Sequence, residues 1–285
     1  MTRQPLMEVL VRHSQRFHAV VPFNYAKEKL FLFDFTNNNT EIFDDLINDT
    51  QKFTNYINQK LREADAKFGI GGYNEYRELY KRSEVFGTER RPHPQPPLTS
   101  SEGQNGTQPS LNRNVDLDKE SSANEASGLV LPNSRDRDGA GAAPRRLHLG
   151  VDIWGKPYTP VMSPCDAVIH SFAFNDEFGD YGATIILSHN LEGIAFHTLY
   201  GHLSLNSIRN LREGGNVTAG DVIGEFGIPS ENGQWPPHLH FQIIDDIGEW
   251  SGDYPGVCKY SERELYLNNC PDPDLILEMM KYASA

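Results

Sequence analysis

Apolar and polar positions along the chain fall into three successive patterns. The first runs to Phe86. Within it KLFLFDF, Lys29 to Phe35, alternates and is rich in Phe and Leu, which predicts a strand. From Thr40 onward Ile42, Phe43, Leu46, Ile47, Phe53, Ile57 and Leu61 recur mostly three or four positions apart. Thr40 as N-cap, Glu41 in the first turn and Gly69 as a stop predict an amphipathic helix of several turns, with a break near Asn48 and Asp49. A second helical stretch, YNEYRELYKRSEVF, follows the glycines of GIGGY.

The second pattern, Gly87 to Arg145, is an absence of pattern. Pro, Ser, Asn, Gly and Asp recur throughout, with no aromatic residue and no periodicity. Such a stretch buries too little apolar surface to offset its ordering entropy, so it reads as a disordered linker or insertion. His93, between prolines, carries no functional expectation there.

The third pattern opens at Leu147. Short β-rich runs alternate with turn signals: DAVIHSFAF, ATIILSH, IAFHTLYGHL, DVIGEFG and HLHFQII. The expected fold class is therefore α+β: a mainly antiparallel β domain of sandwich or open-barrel type over 146–250, preceded by a smaller mixed, partly helical region over 1–86. The insertion occupies 87–145. Residues 251–285 form a C-terminal extension packing on the β domain, with a short helix at DLILEMMKYA.

Composition narrows the function. The chain has 285 residues, 38% of them hydrophobic, enough for a sizeable core. A net charge of -13 argues against nucleic-acid partners and anionic membrane surfaces, both of which need a basic face. Cys165, Cys258 and Cys270 show no C-x-x-C spacing; reduced thiols are expected, with a Cys258–Cys270 bridge as the alternative. The N-terminus mixes Arg, His and Glu among its apolar residues, unlike a signal peptide, and no run reaches membrane-spanning length. A cytoplasmic protein is expected; the sequence leaves its oligomeric state open.

Candidate chemistry concentrates in the third pattern. In HLHF, His238 and His240 would project from one face of a strand. In HLGVD the four-residue spacing of His148 and Asp152 would do the same on a strand and nearly the same on a helix, and imidazole with carboxylate suits a borderline cation such as zinc. YGHLS places His202 after a glycine at a strand end, where a ring can reach into a cleft. His170, His189 and His197 read as ordinary sheet or surface residues, and Asp166, Asp176 and Asp180 as turn and surface carboxylates. Spacing yields five candidate groups but no roles; exchanging His238 with His240 would satisfy the same physics.

Taken together and in this order, H-x-x-x-D, Y-G-H-L-S and H-L-H-F resemble the lysostaphin-type, LytM-like zinc metallopeptidases, which cleave peptide bonds in bacterial peptidoglycan. The resemblance covers Leu147 to about Asp246 and includes the NVTAGDVIGEFG run before the H-x-H strand. It implies one zinc per chain held by His148, Asp152 and His240, with water in the fourth position. It also implies that His202 and His238 deprotonate that water, stabilise the oxyanion and protonate the leaving amine. Through WPPHLHFQII and the YPGVC and CPDPDLIL segments the chain is similar to a cytosolic branch whose peptidase-like domain occurs fused to kinase-like and aminotransferase domains. A small peptide or a peptidoglycan fragment is then the expected substrate. The alternative is a non-catalytic metal- or peptide-binding module on the same fold. Latent relatives have an asparagine reaching the metal, and Asn74 in GGYNE is the residue that likeness implies.

Overall fold

The computed structural model describes residues 4–87 and 143–284, so nearly all of the expected insertion, His93 included, lies outside the described residues. In chain order the elements are α1 (Gln4–His13), β1 (Leu30–Leu32), α2 (Asp44–Ile47), α3 (Thr50–Glu63), β2 (Phe68–Gly71), β3 (Leu147–His148), β4 (Val151–Trp154) and β5 (Pro160–Met162). They continue as β6 (Ala167–Asn175), β7 (Gly182–Leu191), β8 (Ile194–Leu203), α4 (Leu205–Ile208), β9 (Asn216–Val217), β10 (Val222–Glu225) and β11 (His238–Ile244). The chain closes with β12 (Val257–Cys258), α5 (Arg263–Asn269), α6 (Asp274–Leu277) and β13 (Ala283–Ser284).

The architecture is α+β around one nine-stranded sheet of order β13-β1-β2-β4-β11-β8-β7-β6-β9. The pairs β13–β1 and β1–β2 are parallel, and the remaining pairs are antiparallel. Two short antiparallel ladders, β5–β10 and β3–β12, flank it. Residues 68–71 therefore extend the sheet of the β domain directly, through β2 on β4.

Strand β11 shows how sequence period becomes position. All seven of its residues are buried. Leu239, Phe241 and Ile243 enter the core that also takes Leu6 and Leu10 of α1 and Ile185 and Leu187 of β7. Alternate residues on a strand face opposite ways, so His238, His240 and Gln242 emerge on the other face. At its His238 end that face meets Trp154 and Trp235 of a second, largely aromatic cluster that includes Phe33, Phe35, Phe53, Tyr80 and Phe86.

Several local expectations shift. The helix predicted from Thr40 begins at Asp44, because Asn39 turns the chain by accepting the Glu41 N–H. The break falls at Asn48 and Asp49, where the Asp49 carboxylate caps α3 by accepting the Gln51 and Lys52 N–H groups. The stretch YNEYRELYKRSEVF is not an α-helix. Its first residues pair with 146–148: Asn74 N–H donates to His148 O, His148 N–H to Glu75 O and Arg77 N–H to Arg146 O. Those bonds remove the donors an α-helix needs, and only 3-10 turns at Glu78–Arg82 and Glu84–Gly87 follow. In the tail, α6 is a single turn that ends at Glu278, whose φ of 48° is left-handed. Helix α1 had no counterpart in the sequence reading. Cys165, Cys258 and Cys270 form no disulfide among the described residues. Among the described residues no helix is long and apolar enough to cross a membrane.

Candidate active site

Strand register brings the first three candidates together. His240 on β11 lies directly opposite Asp152 on β4, so their side chains are neighbours on one face. His148 arrives differently from the expectation of a shared strand. It belongs to β3, pairs with Val257, and is separated from β4 by a bend at Leu149 and Gly150. A side chain at Gly150 would fall 2.5 Å from His240 Cε1, so only glycine lets the bend pass that close to the ring. The result is a buried group of His148, Asp152 and His240 whose ligand atoms all lie within 4.8 Å of one another and could hold a metal ion.

Hydrogen bonds fix which atoms face inward. His148 Nδ1–H donates to Gly72 O at 2.7 Å, which leaves Nε2 bare. His240 Nε2 lies 3.0 Å from Gln242 Oε1, whose own amide nitrogen donates to Pro255 O. The His240 proton therefore sits on Nε2 and Nδ1 is bare. These two bare nitrogens are 2.9 Å apart, and Asp152 Oδ1 is 3.3 Å and 3.1 Å from them. Three lone pairs converge with no proton between them. Such a contact is repulsive until a cation fills it, and two imidazole nitrogens with one carboxylate oxygen is a zinc-type donor set.

His202 and His238 stand beside that group as a stacked pair, their ring centroids 4.1 Å apart. His238 Nδ1–H donates to Pro236 O at 2.7 Å, and its Nε2 is 4.0 Å from Asp152 Oδ1. His202 Nδ1–H donates to Asn232 O at 2.9 Å. His202 takes a φ of 63°, a left-handed backbone that is costly for a residue with a Cβ. The twist is held on both sides, by His202 N–H to Tyr181 O and Gly227 N–H to His202 O. Each of the two rings thus has its proton committed to a backbone carbonyl and its Nε2 lone pair free for chemistry.

Burial sets the charge states. It pushes the His148 imidazole down to about 3 and the His238 imidazole to about 4, and takes His202 well below its ordinary range. Burial opposes the Asp152 carboxylate, yet the Arg77 guanidinium donating to its Oδ2 favours the charged form, and the carboxyl lies well below its usual range. At neutral pH these groups are three neutral imidazoles and one carboxylate. The surrounding walls, including Leu79, Tyr80, Phe86, Trp154, Tyr181 and Trp235, enclose a cavity of about 40 Å³.

The remaining sequence candidates lie elsewhere, except Asp180, which was expected at the surface but is buried and lines the cavity. Asp166 caps Ala219 N–H, Asp180 accepts from Tyr181 N–H, and Asp176 is exposed. His189 bonds Thr198, and His170 packs edge-on against His197. Asn74 does not reach the group; its side chain is exposed. Arg77, three residues later, does reach it. It is 1% exposed and donates from Nη1 to Asp152 Oδ2 at 2.5 Å. Sequence spacing offered no sign of it, because it approaches from 75 positions away.

Residues 146–250 match the profile of peptidase family M23. The L-Ala–D-Glu endopeptidase of Bacillus subtilis (strain 168) is 34% identical over 135 residues, 45% of this chain and 39% of that protein's length. Among solved structures, the catalytic domain of the antimicrobial peptidase lysostaphin from Staphylococcus simulans is 27% identical, covering 42% of this chain and 80% of its own, with a TM-score of 0.31. A zinc-containing peptidase from Vibrio cholerae is 26% identical over 34% of this chain and 27% of its own, with a TM-score of 0.28. The stretch 146–250, which carries all five candidate residues, is thus similar to peptidase family M23, and the chain spans well under half the length of the curated relative it matches.

Proposed function

We propose that this chain is a zinc-dependent peptidase acting on short peptides. The observation that carries the reading is the convergence of three proton-free lone pairs, His148 Nε2, His240 Nδ1 and Asp152 Oδ1, beside two neutral imidazoles. His148, Asp152 and His240 would hold one zinc ion. When bound, zinc supplies a Lewis acid that polarises the scissile carbonyl and makes water acidic enough to attack near neutral pH.

The chain's own residues do the rest. His238 and His202 present Nε2 lone pairs that take a proton from the attacking water and return it to the leaving amine. Their Nδ1–H bonds to Pro236 O and Asn232 O keep both rings in the required tautomer through that exchange. Once protonated, either ring also stabilises negative charge building on the carbonyl oxygen. Trp154, stacked on His238 at 5.6 Å, and Trp235 keep bulk water from these rings. Three cysteines outside any disulfide suit a reducing, cytoplasmic setting.

Peptides containing an L-Ala–D-Glu bond, the bond in the name of the Bacillus subtilis relative, are the first substrates to offer. Zinc-loaded protein should cleave at least one member of a panel built around that bond. Cleavage should stop with a chelator and return with added zinc. A zinc-loaded protein that cleaves none of the panel would favour the non-catalytic binding module.

A further inference from the structure

The surroundings of the candidate ligands do not all come from the M23 segment. Gly72 O accepts the His148 Nδ1–H at 2.7 Å, and Arg77 Nη1–H donates to Asp152 Oδ2 at 2.5 Å. Both residues precede residue 146. Arg77 is itself held by several contacts, although its buried Nη2 has no hydrogen-bond partner. Its Nε–H donates to Glu75, whose other oxygen accepts the Phe35 N–H at 3.1 Å. Its guanidinium lies 5.3 Å from the Phe35 ring and 5.8 Å from that of Trp154. Gly72, at φ 95°, leaves room for it: a side chain there would sit 1.6 Å from Arg77 Nη2.

Burying a guanidinium this deeply is costly, so its placement asks for a reason beyond packing. The geometry supplies one. Arg77 takes Oδ2 of Asp152 and leaves Oδ1 alone facing His148 and His240. A carboxylate so divided offers a metal one oxygen, whereas an unrestrained one can offer two. Groups that hold a metal's ligands are typically worth 10–100-fold in metal affinity or activity.

We propose that Arg77 is a positioning residue of the metal centre, and that the 72–77 segment is a built-in part of it. Arg77 holds Asp152 to single-oxygen ligation, and Gly72 holds the His148 tautomer. The inference rests on the zinc reading above. It implies that an M23 segment lacking residues 72–77 binds metal less well than the whole chain.

The test uses the full-length protein stripped of metal, with wild type, Arg77→Gln, Arg77→Lys and Arg82→Gln compared. Zinc affinity is read by competition with a chromophoric chelator, and ligand number by the visible spectrum of the cobalt(II)-substituted protein. Arg82 is the control. It is buried at the end of the 3-10 turn that follows Arg77 and contacts Trp235 and Thr50, not Asp152. Arg77→Gln should bind zinc about 10–100-fold more weakly, with cobalt bands weakened by a second carboxylate oxygen. Arg77→Lys keeps the charge but not the fork, and should recover part of the affinity. Arg82→Gln should melt lower yet keep wild-type affinity and spectrum. Unchanged affinity and spectrum in Arg77→Gln, or an equal loss in Arg82→Gln, would overturn the proposal. Should Arg77→Gln fail to fold, Arg77→Lys with wild-type affinity and spectrum would overturn it as well. If wild type itself takes up no zinc, the metal reading fails, and that result is separable from the others.

Discussion

Replacing His202 by alanine should lower peptide hydrolysis by about 10²–10⁴-fold while the protein keeps its zinc. The two halves of that outcome have separate causes. His202 is outside the group that could hold the metal, so its loss removes no donor atom. It does remove a neutral imidazole, stacked at 4.1 Å on His238, whose free Nε2 would carry a proton during the reaction. Backbone strain must be kept apart from chemistry, because residue 202 sits at φ 63°. His202→Asn serves for that, since asparagine tolerates the left-handed region. Both variants should show wild-type zinc content by elemental analysis and a collapsed rate. A rate close to wild type in both would remove His202 from the mechanism.

Asp152→Ala carries the largest expected effect on stability. The carboxylate is buried, and Arg77 and the His148 and His240 rings all bear on it. Removing one partner of a buried ion pair typically costs about 3–5 kcal/mol, because the remaining charge stays buried. Glu75 still faces Arg77, so the lower end of that range is expected. Loss of zinc adds to this, since a metal that binds only the folded state stabilises it. Thermal unfolding with and without chelator separates the parts. Wild type should lose stability when zinc is stripped; Asp152→Ala should start lower and respond little to chelator. An unchanged melting temperature and a retained chelator response would contradict both parts.

The five candidate side chains were legible because each belongs to a local pattern. H-x-H on a strand states its own geometry, and β11 supplies the burial that makes it matter. H-x-x-x-D was found for a partly different reason from the one that operates. His148 and Asp152 lie on separate strands joined by a bend at Gly150, not on one face of a single strand. The surroundings were illegible. Arg77 lies 75 positions from Asp152, in a stretch whose spacing looks helical. The 3-10 turns that form there have a period near three, which apolar spacing does not distinguish from an α-helix. Pairing of residues 74–77 with 146–148 decides the matter, and that is a tertiary fact. The glycines of GIGGY were the available signal. They were read as a boundary between helices, whereas Gly72 marks the close approach of Arg77.

The metal centre is the claim on which the rest depends, and metal content tests it most directly. Wild type and His240→Ala would be purified side by side, offered zinc, and measured by elemental mass spectrometry. About one zinc per wild-type chain is predicted, falling to near zero when the Nδ1 donor facing His148 and Asp152 is removed. No zinc in either protein, or equal zinc in both, would contradict the account.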